Sequence, residues 1–247
     1  MSSIDYDKTF DATLVKKDQI THDTYLFGFQ SEVDIQLEPA EHFQILMKDS
    51  DGIDINRNYT PILSQQRYFE VPIKIYPLGS LTPILAKLSI NSKLQMQRKI
   101  GKLAYMGANK FIIAPKINKQ FQVFKTMLMI CGGTGITPAF SIIKHVCQKK
   151  DPLHMHLLYA NKTSQDILLK DQLTKFQNEC PNLKVTHILD KEPGYKGLQG
   201  YVTLDVLKQV FPSPNNDTIG TFCGPTAMNK VVAELYKNYN IQTVVKF

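Results

Sequence analysis

The stretch Thr126-Met127-Leu128-Met129-Ile130-Cys131-Gly132-Gly133-Thr134-Gly135-Ile136-Thr137-Pro138 decides how the second half of this chain folds. Residues 126–131 form a short apolar run, as expected of a strand buried on both faces of a parallel sheet. Gly133, Thr134 and Gly135 then make a turn in which the backbone can approach a ligand closely. Pro138 suits the first turn of a helix, whose free N–H groups can meet phosphate oxygens. The G-K-[ST] of a nucleotide-hydrolysing loop is absent and the spacing is not strictly G-x-G-x-x-G, so a purely structural tight turn stays open at this point. Outward from it the pattern alternates: helix over 137–148, strand over 153–159, helix over 163–179, strand over 184–189, helix over 202–210, strand over 219–223, helix over 226–239, strand over 243–247. Such alternation predicts right-handed βαβ crossovers and a parallel sheet. A second turn, Cys223-Gly224-Pro225-Thr226-Ala227-Met228, comes after the fourth strand on the same edge. Two glycine turns facing one crevice suit an extended dinucleotide, whereas Cys223 alone reads as a small buried residue.

Residues 1 to about 115 have a different rhythm, of short segments rich in β-branched and aromatic residues. They cover 10–15, 24–29, 42–47, 68–76 and 102–105, separated by turn signals at Asp51-Gly52, Pro77-Leu78-Gly79 and Asn91-Ser92. Only 83–87 suggests a short helix. The fold expected is an antiparallel six-stranded β-barrel over 1–118, then a Rossmann-like parallel α/β domain over 119–247, with the polar stretch 114–122 between them.

Composition narrows the function. The 247 residues are 43% hydrophobic and 21% charged, which excludes wholesale disorder. Twenty-nine basic against 22 acidic residues give a formal charge of +7, an excess suited to an anionic cofactor, partner or surface. No nucleic-acid motif accompanies it. The four cysteines, Cys131, Cys147, Cys180 and Cys223, have neither metal-site nor disulfide-framework spacing, so no metal and a reducing, cytoplasmic setting are expected. Asp5, Asp7, Lys8, Asp11, Lys16, Lys17 and Asp18 exclude a secretory apolar core near the amino terminus, and no run is long enough to span a membrane. Peripheral association stays open.

Arg57-Asn58-Tyr59-Thr60-Pro61 opens a barrel strand. Its cation, aromatic ring and hydroxyl, read as sharing one face, are what a flavin dinucleotide needs: a charge for pyrophosphate, a ring against isoalloxazine and a hydroxyl near its reactive nitrogen. In isolation the pattern is common, and an ordinary surface strand is the better reading of it. In series the motifs are specific. Arg57–Pro61, Ile73-Lys74-Ile75-Tyr76, Gly79-Ser80-Leu81-Thr82, Gly132–Pro138, Leu189-Asp190, Cys223-Gly224-Pro225 and the terminal Phe247 occur in the order of the ferredoxin–NADP reductase superfamily. The chain most resembles its NADH–cytochrome b5 reductase branch, with His22-Asp23-Thr24 and Asp166-Ile167-Leu168-Leu169 extending the likeness over nearly its whole length.

The resemblance implies FAD and NADH as cofactors, hydride transfer between them, and single-electron transfer to a protein acceptor. Arg57 would hold the FAD pyrophosphate and Tyr59 would pack on the flavin, with Asn58 between them where the branch usually has proline. Thr60 would hydrogen-bond near flavin N5 and His42 would stand behind it, although a strand histidine also has a structural reading. Ile73, Lys74 and Tyr76 would line the flavin, Lys74 also meeting the nicotinamide. Gly79, Leu81 and Thr82 would supply backbone and hydroxyl contacts to phosphate and adenine, with Ser80 replacing a residue that is often basic. Thr137 would reach the flavin. Gly133, Thr134, Gly135, Cys223, Gly224, Pro225 and Met228 would embrace the dinucleotide, and Phe247 closes the motif series. Thr60, Lys74, Cys223 and His42 are the candidates closest to the chemistry. Asp190 would accept hydrogen bonds from the adenosine ribose; a carboxylate there repels a 2′-phosphate and predicts NADH over NADPH, while a solvated loop aspartate is the alternative. The expected acceptor is an acidic haem protein of the cytochrome b5 type, met by a rim including Lys93, Lys99, Lys102, Lys110, Lys116 and Lys125. A nitrate reductase-type centre, a quinone or an oxygenase are other acceptors. A flavinless regulatory nucleotide-binding module is the alternative from another class.

Overall fold

The computed structural model describes residues 8–35, 37–117 and 119–247, so Asp5, Asp7 and the boundary residue at 118 lie outside the described residues. Contacts divide the chain into two compact units, Met1–Gly101 and Lys102–Phe247.

The first unit is built from β1 (Thr9–Gln19), β2 (Thr24–Ser31), β3 (His42–Leu46), β4 (Arg57–Tyr59), β5 (Leu63–Gln65), β6 (Tyr68–Lys74), the short helix α1 (Thr82–Ala86) and β7 (Lys93–Lys99). The strands form one antiparallel sheet in the order β4-β3-β7-β1-β2-β6-β5. Its two edge strands, β4 and β5, are separated in sequence only by Thr60, Pro61 and Ile62. The same run of chain therefore ends both sides of the sheet, which makes seven short strands equivalent to the expected six-stranded barrel. Pro61 has no N–H to give to a ladder, and pairing resumes at Ile62, whose N–H donates to the Glu70 carbonyl at 2.9 Å. Inside, alternate residues meet as an aromatic cluster: Phe43 packs on Phe69 with ring centroids 4.8 Å apart and on Phe10 at 5.2 Å, and Phe29 stacks on Phe69 at 5.4 Å.

β7 is absent from the segments read off the sequence, and one side chain explains why. Its inward positions are Leu94, Met96 and Arg98, and the last is a buried cation. Arg98 Nη2 lies 2.6 Å from Oε2 of Glu41, and both side chains are less than a tenth exposed. Glu41 also accepts from the Glu38 N–H at 2.9 Å. A charge at a core position reads as surface until its partner is known.

The second unit opens with a small antiparallel sheet, β8 (Leu103–Tyr105), β9 (Lys110–Ile113) and β10 (Phe121–Val123), in the order β10-β9-β8. β10 begins within the polar stretch 114–122. Tyr105 and Phe111 tie this sheet to the remainder of the unit: the Tyr105 hydroxyl donates to Asp151, and Phe111 packs edge-on against Phe124 at 5.8 Å. The contact division accordingly falls earlier than the change of rhythm at 118/119.

β11 (Thr126–Gly132), α2 (Ile136–Lys149), β12 (His154–Asn161), α3 (Lys170–Glu179), β13 (Leu183–Leu189), β14 (Leu198–Gln199), α4 (Leu204–Val210), β15 (Thr218–Cys223), α5 (Thr226–Asn238) and β16 (Thr243–Lys246) complete it. The six strands are parallel, in the order β14-β13-β12-β11-β15-β16, the Rossmann-like sheet expected. The predicted helix over 163–179 is divided. Thr163 N–H and hydroxyl both donate to Asp166 Oδ2 (2.9 and 2.7 Å), closing a single 3-10 turn. Leu169 then turns left-handed (φ 59°) before α3 begins.

Removing the buried cation alone, by Arg98→Met, takes the guanidinium away from the Glu41 carboxylate and is expected to cost about 3–5 kcal/mol in equilibrium urea unfolding. A loss within experimental error would show that the pair does not hold the barrel.

Candidate functional site

In the first unit the candidate residues lie on β3, at β4, on β6 and along the connection from β6 into α1. Arg57 and Tyr59 pair across to Ile45 and Phe43, and Asn58 faces the other way, where its Oδ1 accepts from Gln44 Nε2 at 3.0 Å. Thr60 does not share their face by alternation, contrary to the expectation: the strand ends at Tyr59, and Thr60 comes after it as a buried residue. Arg57 is exposed, and Nη2 donates to Ser80 Oγ at 3.1 Å while Nη1 donates to the Asn56 carbonyl at 2.9 Å. No carboxylate pairs with it among the described residues, so its charge remains available to an anion. Burial pushes the Tyr59 phenol up to about 12 against the opposing pull of Arg57, so the ring stays neutral.

The loop after β6 is stapled by one hydroxyl. Thr82 Oγ1 accepts from the Tyr76 N–H at 2.9 Å and donates back to the Tyr76 carbonyl at 3.3 Å. This leaves Tyr76 about half exposed with Gly79 and Ser80 beside it. The side chains of Ile73 and Leu81 are 1% and 2% exposed and belong to the barrel core, so only their backbones can face a ligand. His42 begins β3, opposite Lys99. Lys74 ends β6, and Nζ lies 2.6 Å from Asp23 Oδ2. Asp23 precedes β2, accepts from the hydroxyls of Thr24 (3.0 Å) and Thr21 (3.3 Å), and offers its carbonyl to the Ile75 N–H at 2.7 Å. Burial alone would raise its carboxyl, but Lys74 and Thr24 hold it below the ordinary 3.8.

In the second unit the candidates meet at one end of the parallel sheet. The strand order reverses at β11, whose neighbours β12 and β15 lead in opposite directions, the place where open α/β sheets bind ligands. Cys131 and Cys223 are register partners, so the turns after them emerge side by side. Gly133 has φ +53° with nothing within 4 Å of where a Cβ would stand, leaving an open cradle beside the backbone of Thr134. A Cβ on Gly135 would instead overlap the Cys223 carbonyl, which makes glycine there a packing requirement. Tyr159, fully buried, donates to the Gly133 carbonyl at 2.9 Å, and Asn229 Nδ2 donates to the Gly224 carbonyl at 2.7 Å. Thr137 is buried and its hydroxyl returns to the Thr134 carbonyl at 3.2 Å. Pro225 is exposed at the head of α5, and Met228 lies against Gly132 and Gly224. Phe247 continues past β16, its N–H donating to the Phe222 carbonyl at 3.1 Å.

Asp190 comes directly after β13 and is partly exposed; its N–H donates to the Asn161 carbonyl at 3.2 Å. Its carboxylate has no partner among the described residues and can accept from a ribose. Burial pushes the Cys223 thiol up to about 11 against a smaller opposing effect of Lys246, so the sulfur is not a thiolate at neutral pH. The open glycine cradle, the adjoining loop and the free carboxylate fit a dinucleotide, and the uncommitted Arg57 beside Ser80 fits a pyrophosphate. Sequence reasoning missed Asp23, Ser80 as a partner of Arg57, Tyr159 and Asn229. Asp23 alone carried a signal, as the centre of the His22-Asp23-Thr24 motif.

Two family models match the chain: "Oxidoreductase FAD-binding domain" over residues 11–105 and "Oxidoreductase NAD-binding domain" over 129–234. NADH-cytochrome b5 reductase 1 of Lodderomyces elongisporus is 32% identical over 234 residues, covering 90% of this chain and 73% of that protein. NADH-cytochrome b5 reductase 2 of Xenopus laevis is 30% identical, covering 91% and 82%. A nitrate reductase [NADH] of Hordeum vulgare is 34% identical over 88% of this chain, which spans only 26% of that enzyme's length. The crystal structure of the cytochrome b5 reductase domain of Ulva prolifera nitrate reductase superposes with a TM-score of 0.87 at 28% identity, covering 97% of each chain.

Two outcomes test the electrostatics. Asp23 is depressed in the folded state, so its contribution to stability is present above 3.8 and is lost as pH falls through the lower folded value. The urea midpoint of Asp23→Asn should therefore lie below wild type at neutral pH and converge with it in acid; a gap that persists in acid would count against the ion pair. Alkylation of Cys223 by iodoacetamide should accelerate with pH towards about 11, and a plateau already reached at neutral pH would contradict a neutral thiol.

Proposed function

The chain belongs to the NADH–cytochrome b5 reductase family, and from that premise we propose that it carries electrons from NADH through FAD to a haem protein of the cytochrome b5 type. The observation that supports this reading best is the pair of strand-end loops held side by side at the reversal of the parallel sheet, with the Asp190 carboxylate open to a ligand. Bound FAD would supply the change from two-electron to one-electron chemistry. The protein's part is to bind and orient. Arg57, steadied by Ser80, holds pyrophosphate charge. Tyr59 and Tyr76 offer neutral rings, and Gly79 and Leu81 offer backbone. Lys74, fixed by Asp23, sets a cation where a nicotinamide is received. Thr60 provides a hydroxyl near the flavin, with His42 in reserve for a proton. Thr137 is a secondary flavin contact, and Phe247 a boundary of the site. Gly133 and Thr134 take the dinucleotide's phosphates, Cys223 with Gly224, Pro225 and Met228 walls it, and Asp190 grips the ribose diol. A neutral Cys223 shapes the site and forms no covalent bond.

The nitrate reductase domain match over 97% of both chains supports a second reading, in which the same unit serves a nitrate reductase-type centre.

Purified protein should carry flavin absorbance that NADH bleaches without oxygen, and the bleached protein should reduce cytochrome b5 faster than quinone. A colourless protein would overturn the flavoenzyme reading; preference for a nitrate reductase haem domain would select the second. Loss of the charge-assisted hydrogen bonds in Asp190→Ala should lower kcat/KM for NADH by roughly 10–100-fold and leave NADPH far less affected, narrowing the preference. Equal losses with both dinucleotides would remove Asp190 from specificity.

A further inference from the structure

The small sheet β8–β10 has two apolar faces, and among the described residues only one is covered. Leu103, Tyr105 and Phe111 point inward and are at most 1% exposed. The opposite face is built from cross-strand rows. Met106, Lys110 and Val123 form one row: the Met106 N–H donates to the Lys110 carbonyl, and Lys110 is the register partner of Val123. Ala104, Ile112 and Phe121 form the next. Met106, Val123 and Phe121 are 54%, 52% and 58% exposed, and Ile117, in the β9–β10 connection, is 90% exposed. Lys110 Nζ stands 5.1 Å from the Phe121 ring centroid, so cation and ring share this outer surface. An uncovered apolar sheet face marks an interaction surface.

Charge identifies its partner. From Lys102 to Lys125 the chain carries five lysines, Lys102, Lys110, Lys116, Lys119 and Lys125, and no aspartate or glutamate. One of them, Lys125, is ion-paired outside the segment, to Asp217 at 3.0 Å. This segment holds five positive charges in a chain whose net charge is +7. We propose that the outer face of β8–β10 docks on an anionic lipid bilayer, with Phe121, Val123 and Met106 entering the headgroup region and the lysines meeting lipid phosphates and carboxylates. Lysine is depleted in protein–protein interface cores, where aromatic residues, methionine and arginine prevail. Here Lys110 stands over the exposed Phe121 in a segment that carries lysines and no carboxylate of its own, the combination that a fluid anionic surface takes. None of these residues belongs to the cofactor sites, so the docking leaves them untouched.

The test is sedimentation of the full chain, with its flavin, on vesicles of phosphatidylcholine alone and of an equimolar mixture with phosphatidylserine. Binding is expected to the mixed vesicles at low salt, weakened by added salt, and reduced roughly tenfold both by Phe121→Ser with Val123→Ser and by Lys119→Glu. NADH-dependent ferricyanide reduction should be unchanged in both variants, which shows that they fold. Failure to bind mixed vesicles, equal binding to both vesicle types, or binding indifferent to both variants would overturn the proposal. So would a dimer seen by light scattering and abolished by Phe121→Ser, which would assign the face to a second copy of the chain.

Discussion

The backbone of one loop lies against the backbone of another where β11 and β15 end, and the nucleotide-binding half is organised around that contact. Gly135 faces the Cys223 carbonyl with no room for a side-chain carbon, and the Gly224 nitrogen stands 2.9 Å from where one would be. Two chains approach this closely only if the strands beneath them end level, which the Cys131–Cys223 register ensures. The strands are tied in turn from below: the buried Tyr236 hydroxyl lies 2.9 Å from the Leu128 carbonyl of β11 and 3.1 Å from the Thr221 carbonyl of β15. Tyr159 then pins the Gly133 carbonyl from β12. The loop conformation is thus set by three strands before any ligand arrives, and preorganisation of this kind lowers the entropy lost on binding.

The barrel solves a related problem differently. Its seam is where β4 and β5 take opposite edges of one sheet, with Thr60, Pro61 and Ile62 passing between them. A seam is short of ladder hydrogen bonds, so its side chains are free to be exposed and polar. Arg57 and Tyr76 are exposed there, while Phe43, Phe69 and Ile73 fill the interior. The motif that carries the resemblance begins on the edge strand β4, where Arg57 and Asn58 are exposed.

Legibility in the sequence depends on which signals are local. β11 is buried on both faces and reads as an apolar run, and α2 and α5 each present one apolar stripe, so the alternation of the second half is plain. β7 is hidden because Arg98 occupies a core position that makes sense only beside Glu41, 57 residues away. α3 begins late because Leu169 adopts a left-handed conformation that a leucine does not advertise. At the candidate sites, residue types in order are enough to nominate Arg57, Asp190 and the glycine turns. Their supports, Ser80 under Arg57, Asp23 under Lys74 and Asn229 under Gly224, arise from the folded arrangement. Thr60 departs from the expected face because alternation holds only within a strand, and β4 stops one residue before it.

Cys131 and Cys223 raise a chemical problem that their environment answers. Two thiols on neighbouring strands could be cross-linked or overoxidised, and either outcome would distort the loops beyond them. The reactive form is the thiolate. Cys131 is 1% exposed, and burial, reinforced by the neighbouring Cys223, holds its thiol well above the ordinary range. Cys223 is less enclosed, yet burial still raises it to about 11. Both sulfurs are therefore protonated at neutral pH and poor nucleophiles, and their chemistry is closer to that of a small apolar residue than of a redox sensor. The packing that brings the two loops together also keeps the thiols inert.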